Sequence, residues 1–308
     1  MDAWGRERAA ELTALVAAAL PDEDLRHDEL LGCCWDDPES ATASGLPVAG
    51  PRAADSGAVL GAGDGTGAAS VVVRAADPAT GEGPIGYLKL IAVHPDARRA
   101  GRGHRLLAAV EDWAWDQGAS ELRLAGSPPF YLWPGVDALA TEMLCLAESR
   151  GYTVMGSDIN MALPTTFRRS PPAGVSVRRV LSDDDKAKVD ALVAPRWPEW
   201  MAEMSRAVDN GCCHVAVADV DEVADVDGAA VGFVCHSVNR AGWLGPMGTD
   251  PAHRGGGVGG ALLGEVCRDL MIAEFAYTEI SWVGPIRFYA KLGATVSRSF
   301  FRYRLSRP

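Results

Sequence analysis

The chain has 308 residues, 48% of them hydrophobic and 23% charged, with a formal net charge of −12. That composition can fill the cores of two ordinary-sized domains and excludes a disordered chain. The acidic balance argues against a nucleic-acid binder, which needs a basic face for phosphates, and no run of about 18 apolar residues reads as a membrane span.

In chain order, the opening "MDAWGRERAAELTALVAAAL" is interrupted by Asp2, Glu7 and Glu11. It lacks the layout of a secretory leader and reads as a short amphipathic helix. The seven cysteines include no CxxC, and the six histidines are scattered. This pattern fits reduced thiols in a cytoplasmic protein and gives no zinc spacing. The Gly-rich stretch 61–70 leads into a strand and reads as a hairpin loop. Residues 84–93, "PIGYLKLIAV", form a strand, and Leu106, Leu107, Val110 and Trp113 then recur at helical spacing. A strand over 121–127, an aromatic segment "GSPPFYLWPGVD" (126–137), a helix over 139–154 and a last strand over 157–164 complete the first half.

Residues 165–174 are proline-rich and polar, as a linker is. The second half opens on the strand "VSVRRV" and a helix with Ser182 as its N-cap. Strands over 229–238 and 242–249 follow, joined by a turn at Asn239–Gly242. Leu262, Leu263, Val266 and Leu270 then mark one helical face. A strand over 277–283, a short helix over 285–296 and a strand over 297–305 end the chain.

The two halves share one segment. "HPDARRAGRGHRLL" (94–107) and "DPAHRGGGVGGALL" (250–263) are identical at six of fourteen positions and lie 156 residues apart. Each is preceded by a strand and followed by a helix, so the chain reads as a duplicated domain. A glycine-rich turn entering a helix exposes unpaired N–H groups and a positive dipole end, which suits phosphate or pyrophosphate. No Gly-Lys-Ser/Thr follows, and Leu106 and Leu262 stand where a dinucleotide fingerprint needs its third glycine.

Arg-x-x-Gly-x-Gly after "VHP" or "TDP", together with "RFYAKLGA" near the end, resembles the GNAT superfamily of acyl-CoA-dependent N-acyltransferases, once in each half. The resemblance implies an α/β (α+β) chain of two tandem domains, each a mixed, mostly antiparallel twisted sheet flanked by helices, over 1–164 and 175–308. It implies acetyl-CoA or another acyl-CoA as cofactor and a small-molecule amine as acceptor, in the cytoplasm, with no nucleic acid or membrane. The pyrophosphate cradle would be Arg254, Gly255, Gly256, Gly257, Val258, Gly259 and Gly260 in the second half. In the first it would be Arg98, Arg99, Ala100, Gly101, Arg102, Gly103 and His104. Met247, Gly248 and Thr249, or Ala92 and Val93, would flank the pantetheine arm, and a splay from the next strand would admit the thioester.

In that family a tyrosine in Phe-Tyr-x-x-x-Gly often protonates the leaving thiolate, which implies Tyr289 as general acid. Anchoring on Gly151 sets Leu146 opposite Phe288 and Ala147 opposite Tyr289, so the first half lacks the acid and the second is expected to be catalytic. Tyr131 is the reserve if the first half is active. Phe130, Tyr131 and Trp133 would line a pocket or pack between domains. No acid stands on either arm-binding strand, so the general base is open among His214, Cys235, His236 and water. Trp197 and Trp200 fall where acceptor helices lie in the family, and Glu199, Glu203 and Asp209 would attract a cationic acceptor. Two alternatives stand beside this reading: an acyl carrier protein's phosphopantetheine thioester as donor, and a non-catalytic acyl-CoA sensor or scaffold.

Overall fold

The computed structural model describes residues 1–37, 56–76, 82–219 and 227–308. Two compact units result: Met1–Asp158 with Ser299–Pro308, and Ile159–Arg298.

The N-terminal unit begins with β1 (Asp2–Ala3), α1 (Ala9–Ala19) and α2 (His27–Cys34). The hairpin β2 (Ser56–Gly61) and β3 (Gly67–Arg74) leads to β4 (Ile85–Val93), α3 (Arg102–Asp116) and β5 (Glu121–Leu124). Then come β6 (Val136–Asp137), α4 (Thr141–Ser149) and β7 (Thr153–Pro164). Strands β1 to β4 pair antiparallel in sequence order, whereas β4 and β5 are parallel with α3 as the crossover. The first strand of this half is thus present but only two residues long. The Gly-rich stretch is the expected hairpin, closed by Ala62 N–H donating to the Gly67 carbonyl at 2.8 Å.

The second unit repeats the plan. It contains β8 (Val175–Arg179), α5 (Asp183–Val193), α6 (Met201–Asp209), β9 (Cys213–Asp219), β10 (Asp227–His236) and β11 (Trp243–Thr249). α7 (Val258–Ile272), β12 (Tyr277–Ile280), α8 (Ile286–Ala290) and β13 (Thr295–Ser306) follow. β8 to β11 are antiparallel neighbours, and β11 and β12 are parallel around α7. Ser182 caps α5 by accepting from the Asp185 N–H at 3.1 Å.

Each sheet buries both faces, as alternating strand residues require. On one face of the first unit, Leu106, Leu107, Val110 and Ala114 of α3 pack on Val71, Leu88 and Leu122. On the other, Leu12, Val16, Leu30 and Cys33 of α1 and α2 pack on Ala68, Leu90 and Ala92. In the second unit α7 covers Val231, Val234 and Leu244, while α5 and α6 cover Val215, Phe233 and Cys235.

The end strands depart from sequence order. β7 runs past residue 158 and pairs antiparallel with β12 in the second unit, with Met161 opposite Ile280. β13 crosses the other way: its residues 303–306 pair with β5 in the first unit, with Tyr303 opposite Leu124. Packing accounts for the exchange. Met161 and Leu163 complete the α7 core, whereas Tyr303 joins the α3 core. Phe130 and Trp133 also differ from expectation: they fill the first unit's α1–α2 side, Phe130 against Gly32 and Trp133 donating to Glu23 at 3.0 Å. Tyr131 is half-buried on the same loop.

Candidate acyl-CoA site

The two glycine turns have the same backbone. Gly255 and Gly257 have φ of +82° and +102°, and their counterparts Arg99 and Gly101 have +61° and +72°. A left-handed residue at each position turns the chain from strand to helix, which glycine tolerates best and which Arg99 adopts at a cost of about 1–2 kcal/mol. One turn of 3-10 helix precedes each: Pro251–His253, capped by Asp250, and Pro95–Ala97, capped by His94.

The arginine that opens each motif serves the turn itself. Arg254 Nε donates to the Thr249 carbonyl at 3.1 Å, and Arg98 Nε to the Val93 carbonyl at 3.2 Å. Arg98 also donates to the Ala19 carbonyl at 2.7 Å. These arginines clip the ends of β4 and β11 to the turn, a task the motif alone does not disclose.

Beyond the clip, α7 starts at Val258 with no side-chain cap on Gly257 and no acid in its first turn, and its first helical bond is Ala261 N–H to the Gly257 carbonyl. The N–H groups of Val258, Gly259 and Gly260 therefore precede any intrahelical partner, at the positive end of the helix. α3 is built alike, its first bond running from Arg105 N–H to the Gly101 carbonyl. Its cations are more engaged, however. Arg102 pairs with Asp64 at 2.9 Å, and His104 Nε2 lies 3.0 Å from Ser149 Oγ.

A cation absent from the motif joins the second turn. Arg169, an exposed residue of the proline-rich stretch, runs along the start of α7. A Cβ on Gly257 would lie 3.4 Å from its Nη2, one on Gly260 only 2.5 Å from its Cδ, and one on Gly264 only 3.0 Å from its backbone nitrogen. Gly260 and Gly264 thus let the stretch lie close on the helix. The signal for Arg169 in the sequence is the pair of small residues on α7, which does not say what fills the space.

β11 and β4 are open along one edge near the glycine turns. The β11–β12 ladder ends at Leu244/Ile280, so Met247, Gly248 and Thr249 pair with β10 alone. The β4–β5 ladder ends at Leu88/Leu124, leaving Ala92 and Val93 paired with β3 alone. In both units the two parallel strands part before the glycine turn.

Tyr289 lies at this opening. Its hydroxyl is 3.9 Å from Met247 Sδ, and Phe288 packs edge-on to its ring at 4.9 Å. A Cβ on Gly259 would meet Phe288 at 2.9 Å and Met247 at 3.2 Å. In the first unit the neighbour of Gly103 is Leu146, at 3.3 Å from the equivalent Cβ. Leu146 therefore occupies the place of Phe288, and fully buried Ala147 that of Tyr289. Burial pushes the Tyr289 phenol up to about 12, so the hydroxyl keeps its proton at neutral pH.

The opposite face of β11 is aromatic. Trp197 would stand 2.7 Å from a Cβ on Gly248, and it stacks on Trp200 at 5.4 Å and tilts against Phe233 at 6.0 Å. Nearby Glu203 is buried and accepts from Asn239 Nδ2 at 2.8 Å. Burial raises its carboxyl to about 7, against the opposing Arg206 charge. His214 and His236 do not border the opening. His236 pairs across from Leu244, at the other end of β11, on the α7 face with His214. Cys235 is buried on the α5–α6 face.

The first unit carries a charged cluster at the corresponding depth. Lys89 on β4 is 3% exposed; its Nζ donates to the Cys33 carbonyl and to Asp37 at 2.7 Å. Arg74 pairs with the same carboxylate at 2.7 Å. Burial pushes the Asp37 carboxyl up, but the Lys89 and Arg74 charges outweigh it and hold it below its ordinary value. This cluster was not legible in the sequence, because Asp37 and Lys89 are 52 residues apart and match no motif.

Residues 11–131 match the model of the "Acetyltransferase (GNAT) family", and residues 209–293 that of the "Acetyltransferase (GNAT) domain". The chain belongs to the GNAT family, as a tandem two-domain member. No curated protein matches the sequence. Among solved structures, one similar fold is a GCN5-related glucosamine N-acetyltransferase region of a fungal multi-domain GH3 β-N-acetylglucosaminidase, at TM-score 0.73 and 17% identity over 99% of this chain. The chain spans 38% of that protein's length. A GCN5-related N-acetyltransferase from Sphaerobacter thermophilus matches at TM-score 0.65 and 22% identity, covering 99% of this chain and 95% of its own. A tandem GNAT protein from the clavulanic acid biosynthesis pathway matches at TM-score 0.67 and 17% identity, covering 97% and 95%. The family is one of acetyltransferases, and no helix among the described residues is long and apolar enough to cross a membrane.

Proposed function

We propose that this chain is an N-acyltransferase that moves an acyl group from acyl-CoA, acetyl-CoA first, to the amine of a small molecule by direct attack in a ternary complex. The reaction is assigned to the C-terminal repeat, 175–308, and the N-terminal repeat, 1–164, to binding without turnover, with 165–174 as the connection between them. One observation carries the assignment. A protonated phenol stands at the parted strands beside the glycine turn in the second unit, and the equivalent side chain in the first is a methyl group.

The residues present fit the cofactor. Three N–H groups free of helical partners, an acid-free first turn and Arg169 suit a pyrophosphate; the open edge of Met247–Thr249 suits the amide-bearing arm. Acyl-CoA, when bound, supplies the thioester. The amides of Val258 to Gly260 hold its phosphates, and the β11 edge orients its arm. Tyr289, protonated at neutral pH, would donate a hydrogen bond to the sulfur as the C–S bond breaks and the C–N bond forms, while water takes the proton lost by the amine and supplies one to the thiolate. Trp197 and Trp200, half-buried beside Gly248, support an acceptor with an apolar body. All seven cysteines are free, which supports a reducing, cytoplasmic setting where acyl-CoA is made.

The test is acetyl transfer to a broad amine panel, read by mass spectrometry, with wild type and Tyr289→Phe. The variant is expected to lose about 100-fold in kcat with KM little changed. An unaltered kcat would remove Tyr289 from the chemistry.

A further inference from the structure

The end of α7 remote from the glycine turn carries a second constellation. Asp269 lies eleven residues beyond Val258 on one helix, about 16 Å along its axis. Facing it are His214, the second residue of β9, and His236, the last of β10. His214 Nε2 is 3.3 Å and His236 Nε2 3.2 Å from the same oxygen, Asp269 Oδ2, and the three ligating atoms all lie within 4.8 Å of one another. The carboxylate's other oxygen is taken by Arg179 at 2.6 Å. His236 Nδ1 lies 3.2 Å from Ser237 Oγ.

We infer that His214, His236 and Asp269 form a binding site for zinc or a similar first-row divalent ion, which would staple β9 and β10 to the C-terminal end of α7. Two imidazoles and a carboxylate are the ligand types such ions take. At metal–ligand distances of about 2.0–2.1 Å, the edges of a tetrahedron measure about 3.3 Å, and two of the three edges here already have that length. The histidine–histidine edge, within 4.8 Å, would have to shorten by at most about 1.5 Å. The outer contacts also have the form seen around bound metals: Arg179 fixes the carboxylate through its non-ligating oxygen, and Ser237 orients the His236 ring. The histidine side chains are 3% and 6% exposed and Asp269 15%, so an ion would enter from the helix side.

The full-length protein, stripped with chelator and titrated with zinc against a chromogenic competitor, is the test. We expect one tightly held zinc per chain and a raised melting temperature. His236→Gln and Asp269→Asn should each weaken binding at least 100-fold and abolish the thermal shift. Equal zinc affinity in wild type and both variants would place the ion on exposed histidines and overturn the proposal, as would no binding by wild type. Should a variant fail to fold, cobalt absorption of the wild type decides. An intense tetrahedral spectrum at one equivalent supports the site, and a weak octahedral one refutes it.

Discussion

Replacing Glu203 by glutamine should stabilise the protein at alkaline pH and do much less in acid. Glu203 sits on α6, 6% exposed, beneath the Trp197–Trp200–Phe233 wall, with Asn239 as its hydrogen-bond donor. Burial is the dominant influence and raises its carboxyl from 4.5 to about 7, against the attraction of Arg206. A carboxyl raised on folding binds more protons in the native state, so stability is present at low pH and is lost as pH climbs between the two values. With those values, ionisation costs the wild type about 1 kcal/mol at pH 5 and about 3 kcal/mol at pH 8, a difference of about 2 kcal/mol. Glutamine keeps an oxygen for Asn239 and does not ionise. Its own packing offset is the same at both pH values and cancels in the difference. Urea unfolding of wild type and Glu203→Gln at pH 5 and pH 8 measures this directly. The stabilisation by glutamine should be about 2 kcal/mol larger at pH 8. An equal effect at the two pH values would show that Glu203 has an ordinary titration and that α6 leaves it solvated.

Further outcomes concern the turns and the buried ions. Gly257→Ala places a Cβ at a φ of +102° and should cost about 1–2 kcal/mol in stability and weaken acetyl-CoA binding, read by urea unfolding and calorimetry; full affinity would show the turn is not the phosphate cradle. Lys89→Met removes the buried ammonium from Asp37 and should cost about 3 kcal/mol, read by urea unfolding; a loss below about 1 kcal/mol would mean that water replaces the ammonium.

Local features were the most legible part of the sequence. The duplicated motif announced two like turns, and both have left-handed residues at the same two positions, 99 and 101, 255 and 257. The alignment of Leu146 with Phe288 is realised as contact with Gly103 and Gly259, because both pairs obey one local strand–helix geometry. Long-range pairing was not legible. β7 and β13 have strand-like sequences whichever unit they join, and only their burial beside Ile280 or Leu124 decides between the sheets. Ligating groups assembled from distant positions escaped for the same reason: Lys89 with Asp37, His214 and His236 with Asp269, and Arg169 with α7. The arginines of the motif read as anion ligands, and nothing in the sequence signals that their Nε atoms also close the turn on Thr249 and Val93.

The central claim is that the second turn, completed by Arg169, holds acyl-CoA. Native mass spectrometry of the full chain with acetyl-CoA tests it, comparing wild type with Arg169→Glu. Arg169 is exposed, so its reversal should leave the fold intact while placing an anion at the mouth of the cradle. We predict that wild type binds acetyl-CoA and that the variant loses one bound molecule, its affinity falling at least tenfold, or about 1.4 kcal/mol. Identical occupancy in the two proteins would contradict the account.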